Sequence, residues 1–266
     1  MIIIKVGGGK NIRWDFIAQN LKIFTKKNPV VIIHGASTLR DTIGTQMNVP
    51  TQTFVSPSGI SSVYTDKHAL DIFLMAYAGI ANKTIVACLL QHNIPAIGLT
   101  GVDGMLWQAK AKPDLFVKIG EKTRLIRNNL TGKVEKINTK LLLSLLKQKY
   151  VPVLTAPAIT VTGTIVNTDN DWATAVTAGD LQIKQIVYLF EASGLLKNFN
   201  DPSSIISHVD KNALQDYLLY AHGRMKKKLL GAKEAFRRGV ERIYFGDGRI
   251  ENPIDSALSG RGTIIS

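Results

Sequence analysis

Two apolar runs, each closing on glycine, fall within the first 36 residues, and they constrain the chain more than any other feature. Ile2-Ile3-Ile4-Lys5-Val6 runs into Gly7-Gly8-Gly9, and Pro29-Val30-Val31-Ile32-Ile33 runs into His34-Gly35-Ala36-Ser37. Between them, Asn11 to Lys26 carries a helical pattern. Short apolar runs alternating with longer amphipathic segments predict an α/β protein with a largely parallel sheet. The alternation continues. Asp66 to Ala81, Thr84 to His92 and Thr139 to Lys149 read as helices, and Ala96-Ile97-Gly98-Leu99 and Val151-Pro152-Val153-Leu154 as strands. Ile186 to Phe190 and Arg242 to Phe245 are the later strands. Residues 114–137 break the pattern: Leu115 to Ile119, Arg124 to Arg127 and Gly132 to Glu135 predict short β segments in an antiparallel insertion. Thr162 to Val166 reads as a hairpin edge leading to Asn167-Thr168-Asp169-Asn170-Asp171 and a helix from Trp172. With no low-complexity linker and no repeat, two lobes sharing one sheet, 1–160 and 161–266, fit better than tethered domains.

A glycine turn between strand and helix exposes backbone N–H groups, and the helix N-terminus adds a positive dipole; together they make a phosphate site. Neither loop follows Gly-x-x-x-x-Gly-Lys-[Ser/Thr] or Gly-x-Gly-x-x-Gly, and a tight turn accounts for either alone. Two on successive strands, the first preceded by Lys5, point to phosphate. A lysine inside an apolar strand is costly unless it reaches water or an anion at the sheet end. Asp171 fits the N-cap of the helix from Trp172. Lys226, Lys227 and Lys228, after Gly223-Arg224-Met225, fit a solvated helix face.

The net charge is +13, from 33 Lys and Arg against 20 Asp and Glu, which asks for an acidic partner without naming it. Cys88 is the single cysteine, so a disulfide framework and a cysteine zinc cage are excluded. Scattered histidines (His34, His68, His92, His208, His222) show no metal spacing. His34, Cys88 and Trp107 read as core residues. Met1 leads straight into a strand rather than a signal peptide, and charge interrupts the apolar stretches before a membrane span. A cytoplasmic chain is expected, with neither membrane nor nucleic acid as partner; 7% aromatics and no nucleic-acid module oppose the latter.

The order of the motifs is more specific than any one of them. Lys5-Val6-Gly7-Gly8-Gly9, His34-Gly35-Ala36-Ser37, Tyr64-Thr65-Asp66, Asn82-Lys83, Gly98 through Gly104, Asn167 through Asp171, Gly223 through Lys228 and Gly262-Thr263 together resemble the amino acid kinase family over essentially the whole chain. Leu130 to Asn138, His222 to Lys233 and Asp247 to Ile254 look like the branch that acts on an amino acid carried by the small acidic protein LysW. The resemblance implies a three-layer αβα sandwich, ATP with Mg²⁺ on the nucleotide phosphates, an acidic LysW-type carrier bearing aminoadipate or glutamate, and a homodimer near the apolar face of the first helix (Ile12, Phe16, Ile17). An acetylglutamate kinase is the alternative inside the family, and a non-catalytic regulatory or nucleic-acid-binding protein the alternative outside it.

Carried over residue by residue, the resemblance gives Lys5 and Lys228 the transferring phosphoryl and Asp171 the two ammonium groups. Gly7, Gly8, Gly35 and Ala36 would donate N–H groups to phosphate and acyl oxygens. Asn167 would bind the amino-acid end, and Glu191, Gly194 and Met225 the nucleotide. No metal cage is implied. Two departures stand out. Val63 occupies the place of a carboxylate-clamping arginine in Arg-x-Thr-Asp, leaving Arg40, Arg124 or Arg127 to take that task. Phe190-Glu191 replaces Thr-Asp before the nucleotide-side glycine. The positive charge concentrates in two places: residues 110–149, with acids only at Asp114, Glu121 and Glu135, and the stretch from Arg224 to Arg242.

Overall fold

A computed structural model describes the chain except for Ser58, Ile60, Glu121, Phe199 and His222, and except for the side chain of Ile119. From the N-terminus the chain forms β1 (Ile2–Val6), α1 (Trp14–Phe24), β2 (Val30–His34), α2 (Ser37–Gln46) and a short ribbon of β3 (Thr53–Val55) and β4 (Ser61–Val63). Next come α3 (Lys67–Leu74) and α4 (Asn82–Gln91), joined through a π-helical turn at Met75–Ala81 into one continuous rod. β5 (Ala96–Thr100), β6 (Trp107–Ala111), the hairpin β7 (Leu115–Ile119) and β8 (Lys122–Ile126), β9 (Gly132–Ile137), α5 (Thr139–Lys147) and β10 (Val151–Thr155) follow. The remainder is β11 (Ala158–Ile159), β12 (Ile165–Val166), α6 (Asn170–Asp180), β13 (Gln185–Phe190), β14 (His208–Val209), α7 (Arg224–Arg237), β15 (Arg242–Asp247), α8 (Pro253–Leu258) and β16 (Thr263–Ile265).

The main sheet runs β14-β16-β15-β13-β1-β2-β10-β5. Every neighbouring pair in it is parallel except β15 with β16. β1 is buried along its whole length because it lies in the middle, between β13 and β2. Its side chains alternate between two cores, as a strand's period of two requires. Ile3 joins Val31, Ile33 and the helices α6 and α7 on one face; Ile2, Ile4 and Val6 join α1, α4 and α8 on the other. The three αβα layers follow. Parallel strands in register put their C-terminal ends on one edge, so the glycine loops after β1 and β2 lie side by side there, next to the end of β13.

The structure moves some expected boundaries. The first helix starts at Trp14, with Ile12 and Trp14 packed on the chain's own core beside the buried Ile17. The two helical stretches expected at Asp66 to Ala81 and Thr84 to His92 run together as one apolar rod, Lys67–Gln91, long enough to cross a membrane by length and composition. Its Phe73, Ala76, Ile85 and Leu89 are built into the two cores. Gly132 to Ile137 pairs antiparallel with β6, a strand the sequence pattern did not reveal, so the insertion reduces to the β7–β8 hairpin. α6 begins at Asn170 rather than Trp172.

Candidate active site

Asp171 organises the site. Its cap role passes to Asp169, whose carboxylate accepts from the Asp171 and Trp172 N–H groups at 2.8 and 3.0 Å. That leaves the Asp171 side chain free to face β1. Lys5 Nζ lies 2.5 Å from its Oδ1, and Lys228 Nζ lies 4.0 Å from its Oδ2. All three groups are buried. Burial alone would raise the Asp171 carboxyl, but the charges of Lys5 and Lys228 outweigh it and hold the group below the ordinary carboxylate range. Lys228 is pushed down to about 8, first by burial, with the Lys5 charge adding to the effect and Asp171 opposing it.

Two local features bring Lys228 in. Gly223 turns the chain with φ of +52° into the start of α7, a conformation glycine adopts without steric cost. At Gly231 the helix crosses α6 so closely that a Cβ would stand 3.0 Å from the Asp171 carbonyl oxygen. The basic run is therefore a first turn of helix aimed at the sheet edge: Lys228 meets Asp171, Lys227 reaches Asp169 at 3.5 Å, and Arg224 donates to Ser37 Oγ at 2.8 Å.

The two glycine loops interlock. A Cβ on Gly8 would stand 2.5 Å from the amide nitrogens of both Ala36 and Ser37. The expected set of N–H donors needs correcting here. Gly7 donates to Leu189 O at 2.8 Å and Gly35 to Val6 O at 3.0 Å, so both extend the sheet ladder. Among the described residues, the Gly8 and Ala36 N–H groups make no hydrogen bond, and they flank the start of α2. Gly7 and Gly35 shape the cradle; Gly8 and Ala36 are its available donors.

Glu191, just after β13, accepts from the Asn11 N–H at 2.7 Å and lies against Gly9, closing one wall of the loop. Gly194 and Met225 stand farther back. Gly194 packs where a Cβ would meet Thr263 Oγ1 at 2.5 Å, and Met225 packs on the core. Asn167 donates to Thr65 Oγ1 at 2.9 Å. Val63 lines a small cavity of about 10 Å³ with Arg40 and Thr65. Arg124 and Arg127 are exposed and do not line that cavity. His222 and Glu121 lie outside the described residues.

Other side chains were not legible as site residues. Asn170 donates to His34 O at 2.9 Å while its buried Oδ1 has no partner, and Thr168 Oγ1 and Tyr188 Oη are likewise buried and unbonded. Buried orphan oxygens of this kind mark places where a ligand or water completes the hydrogen bonding. His34 is wholly buried, 3.1 Å from Asn82 Nδ2; burial lowers its pKa to about 4, with the Lys5 charge adding to the effect, so it is neutral at pH 7. A cleft of about 260 Å³ is lined by Asn82, Lys83, Gly98 and Asp103 but by none of Lys5, Asp171 or Lys228.

The arrangement is a cradle for anions: two buried ammonium groups on one carboxylate, two free N–H donors, and no cluster of three or more His, Cys, Asp or Glu able to hold a metal among the described residues. Charge of this kind suits a phosphoryl group passing between two anions.

Comparison with known proteins agrees with this chemistry. The profile of the amino acid kinase family matches residues 1–247. A [LysW]-aminoadipate kinase of Thermus thermophilus is 37% identical over the full length of both chains. One of Deinococcus radiodurans is 38% identical over this whole chain and 91% of its own. Among solved structures, the carbamate kinase of Giardia lamblia bound to AMP-PNP superposes with a TM-score of 0.64 at 14% identity, covering 99% of this chain and 97% of that one. That likeness speaks to the fold.

Proposed function

The chain belongs to the amino acid kinase family, and from that premise we propose that it transfers the γ-phosphoryl of ATP to the side-chain carboxylate of aminoadipate carried on LysW, giving an acyl phosphate in lysine biosynthesis. Glutamate, shorter by one methylene, is the second acceptor of the same reading, because a methylene separates substrates by only about 1–3 kcal/mol. The observation that carries the proposal is the buried Lys5–Asp171–Lys228 cluster at the mouth of two interlocked glycine loops.

The acceptor carboxylate is already ionised at neutral pH, so no general base is required. The obstacle is repulsion between it and the nucleotide. In the proposed reading Lys5 meets the transferring phosphoryl from the acceptor side and Lys228 from the nucleotide side. Asp171 holds both ammonium groups in position without competing for the phosphoryl. The Gly8 and Ala36 N–H groups take the developing charge on the phosphoryl oxygens. Asn167 orients the amino-acid end; Glu191, Gly194 and Met225 bound the nucleotide side. Residues 1–160 supply the acceptor lobe and 161–266 the nucleotide lobe. The nucleotide's own phosphates would carry the magnesium ion, which supplies further neutralisation when bound.

The charge pattern supports a protein-borne acceptor. Lys110, Lys112, Lys118, Lys122, Arg124, Arg127, Lys136 and Lys140 are exposed along β6, the β7–β8 hairpin and the segment after it, and among the described residues none makes a salt bridge. The cations of α7, by contrast, are largely spent internally: Arg237 and Arg238 on Glu234, Lys227 on Asp169. An unpaired basic ribbon steers an acidic carrier. kcat/KM toward the carrier substrate is therefore expected to fall about tenfold between 50 and 500 mM salt, while KM for ATP changes little. A kcat/KM independent of ionic strength would remove the docking role of the ribbon. The homodimer and the cytoplasmic setting belong to the same reading; light scattering in solution reads the first.

Lys228 also gives a pH signature. Its folded-state pKa of about 8 lies below the free lysine value, so in the unliganded enzyme the ammonium is lost as pH rises through 8. kcat/KM for ATP is expected to fall about tenfold per pH unit above that point. Bound phosphates favour the charged form, so kcat should hold to higher pH. Coincident falls of kcat and kcat/KM would contradict the assignment.

The reaction itself is tested with MgATP and the carrier bearing aminoadipate or glutamate, or with free acetylglutamate, trapping acyl phosphate with hydroxylamine. Hydroxamate on the carrier is expected. Hydroxamate from acetylglutamate alone would overturn the carrier reading.

A further inference from the structure

The anion cradle draws on two helices whose first turns meet. α2 begins at Ser37, directly after the free Ala36 N–H, and α7 begins at Arg224, one turn before Lys228. Neither helix carries an acidic residue in its first turn, while Arg224, Lys226, Lys227 and Lys228 crowd the start of α7. Two positive helix ends brought together with added cations are unfavourable without an anion between them. A contact that holds them together needs a reason.

Arg224 makes that contact. Its Nη1 donates to Ser37 Oγ at 2.8 Å, and its Nη2 lies 3.9 Å from Asp41 Oδ2, one turn further along α2. Ser37 Oγ in turn donates to Gly8 O at 3.3 Å, an oxygen that also accepts from the Thr38 N–H at 3.0 Å. The connection therefore runs from α7 through α2 into the first glycine loop. Arg224 and Lys228 are four residues apart and share one face of α7. The Arg224 charge is felt at Lys228, where it adds to the downward shift of the ammonium. A second contact crosses the same seam: a Cβ on Gly59, between β3 and β4, would stand 3.5 Å from Lys226 Nζ. The Arg224 side chain is 63% exposed, so its bond adds little to stability. What the bond fixes is geometry.

We infer that Arg224 is a positioning residue for Lys228. By gripping Ser37 it fixes the first turn of α7 against the two glycine loops. The ammonium on one helix and the N–H donors beside the other then face the same phosphoryl group. The inference rests on the function proposed above, which places a phosphoryl group between them. A displacement of about 1 Å at a reacting group costs about a hundredfold in rate. Arg224 acts through Ser37 and Lys228 rather than on the nucleotide, so its loss falls on kcat and leaves KM for ATP nearly alone.

Steady-state kinetics with the aminoadipate carrier at pH 7, where Lys228 keeps its charge, test this. Arg224→Gln and Ser37→Ala are each expected to lower kcat about tenfold to a hundredfold, with KM for ATP within about threefold of wild type. Melting temperatures should stay within about 2 °C, as loss of an exposed contact implies. The double variant should be no slower than the slower single variant, because both changes break one contact. Ser37→Thr, which keeps a hydroxyl, should keep the wild-type kcat. Additive losses in the double variant would overturn the inference. So would a raised KM for ATP at unchanged kcat, which would put Arg224 on the nucleotide instead. Hydrogen exchange with bound MgAMP-PNP reads the contact without turnover. The amides of residues 228–231 donate back to the first turn of α7, and Ser37→Ala, a change on another helix, should speed their exchange about fivefold. Exchange equal to wild type would refute the positioning role. A wild-type enzyme that fails to phosphorylate the carrier would count against the function proposed above, and the exchange comparison would still decide the role of Arg224.

Discussion

Lys228→Ala is expected to lower kcat by about a thousandfold while leaving the fold and its melting temperature close to those of wild type. The two halves of this expectation have different origins. Removing one preorganised charge from a transferring phosphoryl costs about 10²–10⁵ in rate. The folded state loses little, because the ammonium is already strained by burial, as its pKa of about 8 records, and its distance of 4.0 Å from Asp171 makes it the weaker of the two partners. Measured kcat with saturating ATP, alongside a thermal melt by circular dichroism, separates the two. A variant that turned over at near wild-type rate would mean that another group neutralises the phosphoryl on the nucleotide side.

Asp171→Asn should behave in the opposite sense for stability. The substitution keeps the shape but leaves Lys5 and Lys228 buried without a counter-charge. Breaking a buried pair from one side costs about 3–5 kcal/mol. The melting temperature should therefore fall, and turnover with it. Because ATP brings anionic oxygens to the same ammonium groups, saturating nucleotide should narrow the gap in melting temperature between Asp171→Asn and wild type. A gap that stays the same or widens with ATP would argue that the two lysines do not face the nucleotide phosphates.

Much of this site could be read before the structure, and the reason is local. Ile2 to Val6 is a centrally placed parallel strand, so both its faces are apolar and its ends coincide with the change to glycine. Lys5 stands out in such a strand. Asp171 and Lys228 could be named through the order of the motifs, but their meeting with Lys5 depends on the crossing of α6 and α7 at Gly231.

Where the reading failed, a tertiary term outweighed the local one. Trp107 to Ala111 has alanines and a lysine where a strand usually carries β-branched residues, and it is a strand because β9 and β11 pair with it. Gly7 and Gly35 looked like phosphate donors, yet their N–H groups are consumed by the carbonyls of Leu189 and Val6 on neighbouring strands, which no local pattern records. Asp171 looked like a cap because it precedes Trp172, whereas Asp169 makes the capping bonds and releases it.

The central claim is that the Lys5–Asp171–Lys228 cradle moves a phosphoryl group onto a carboxylate held by a carrier protein. Quantifying ADP and carrier hydroxamate together, with MgATP, hydroxylamine and the aminoadipate-bearing carrier, tests it most directly. The account predicts one hydroxamate on the carrier for each ADP, and neither product with Lys228→Ala. ADP released without hydroxamate, or hydroxamate undiminished in the variant, would contradict it.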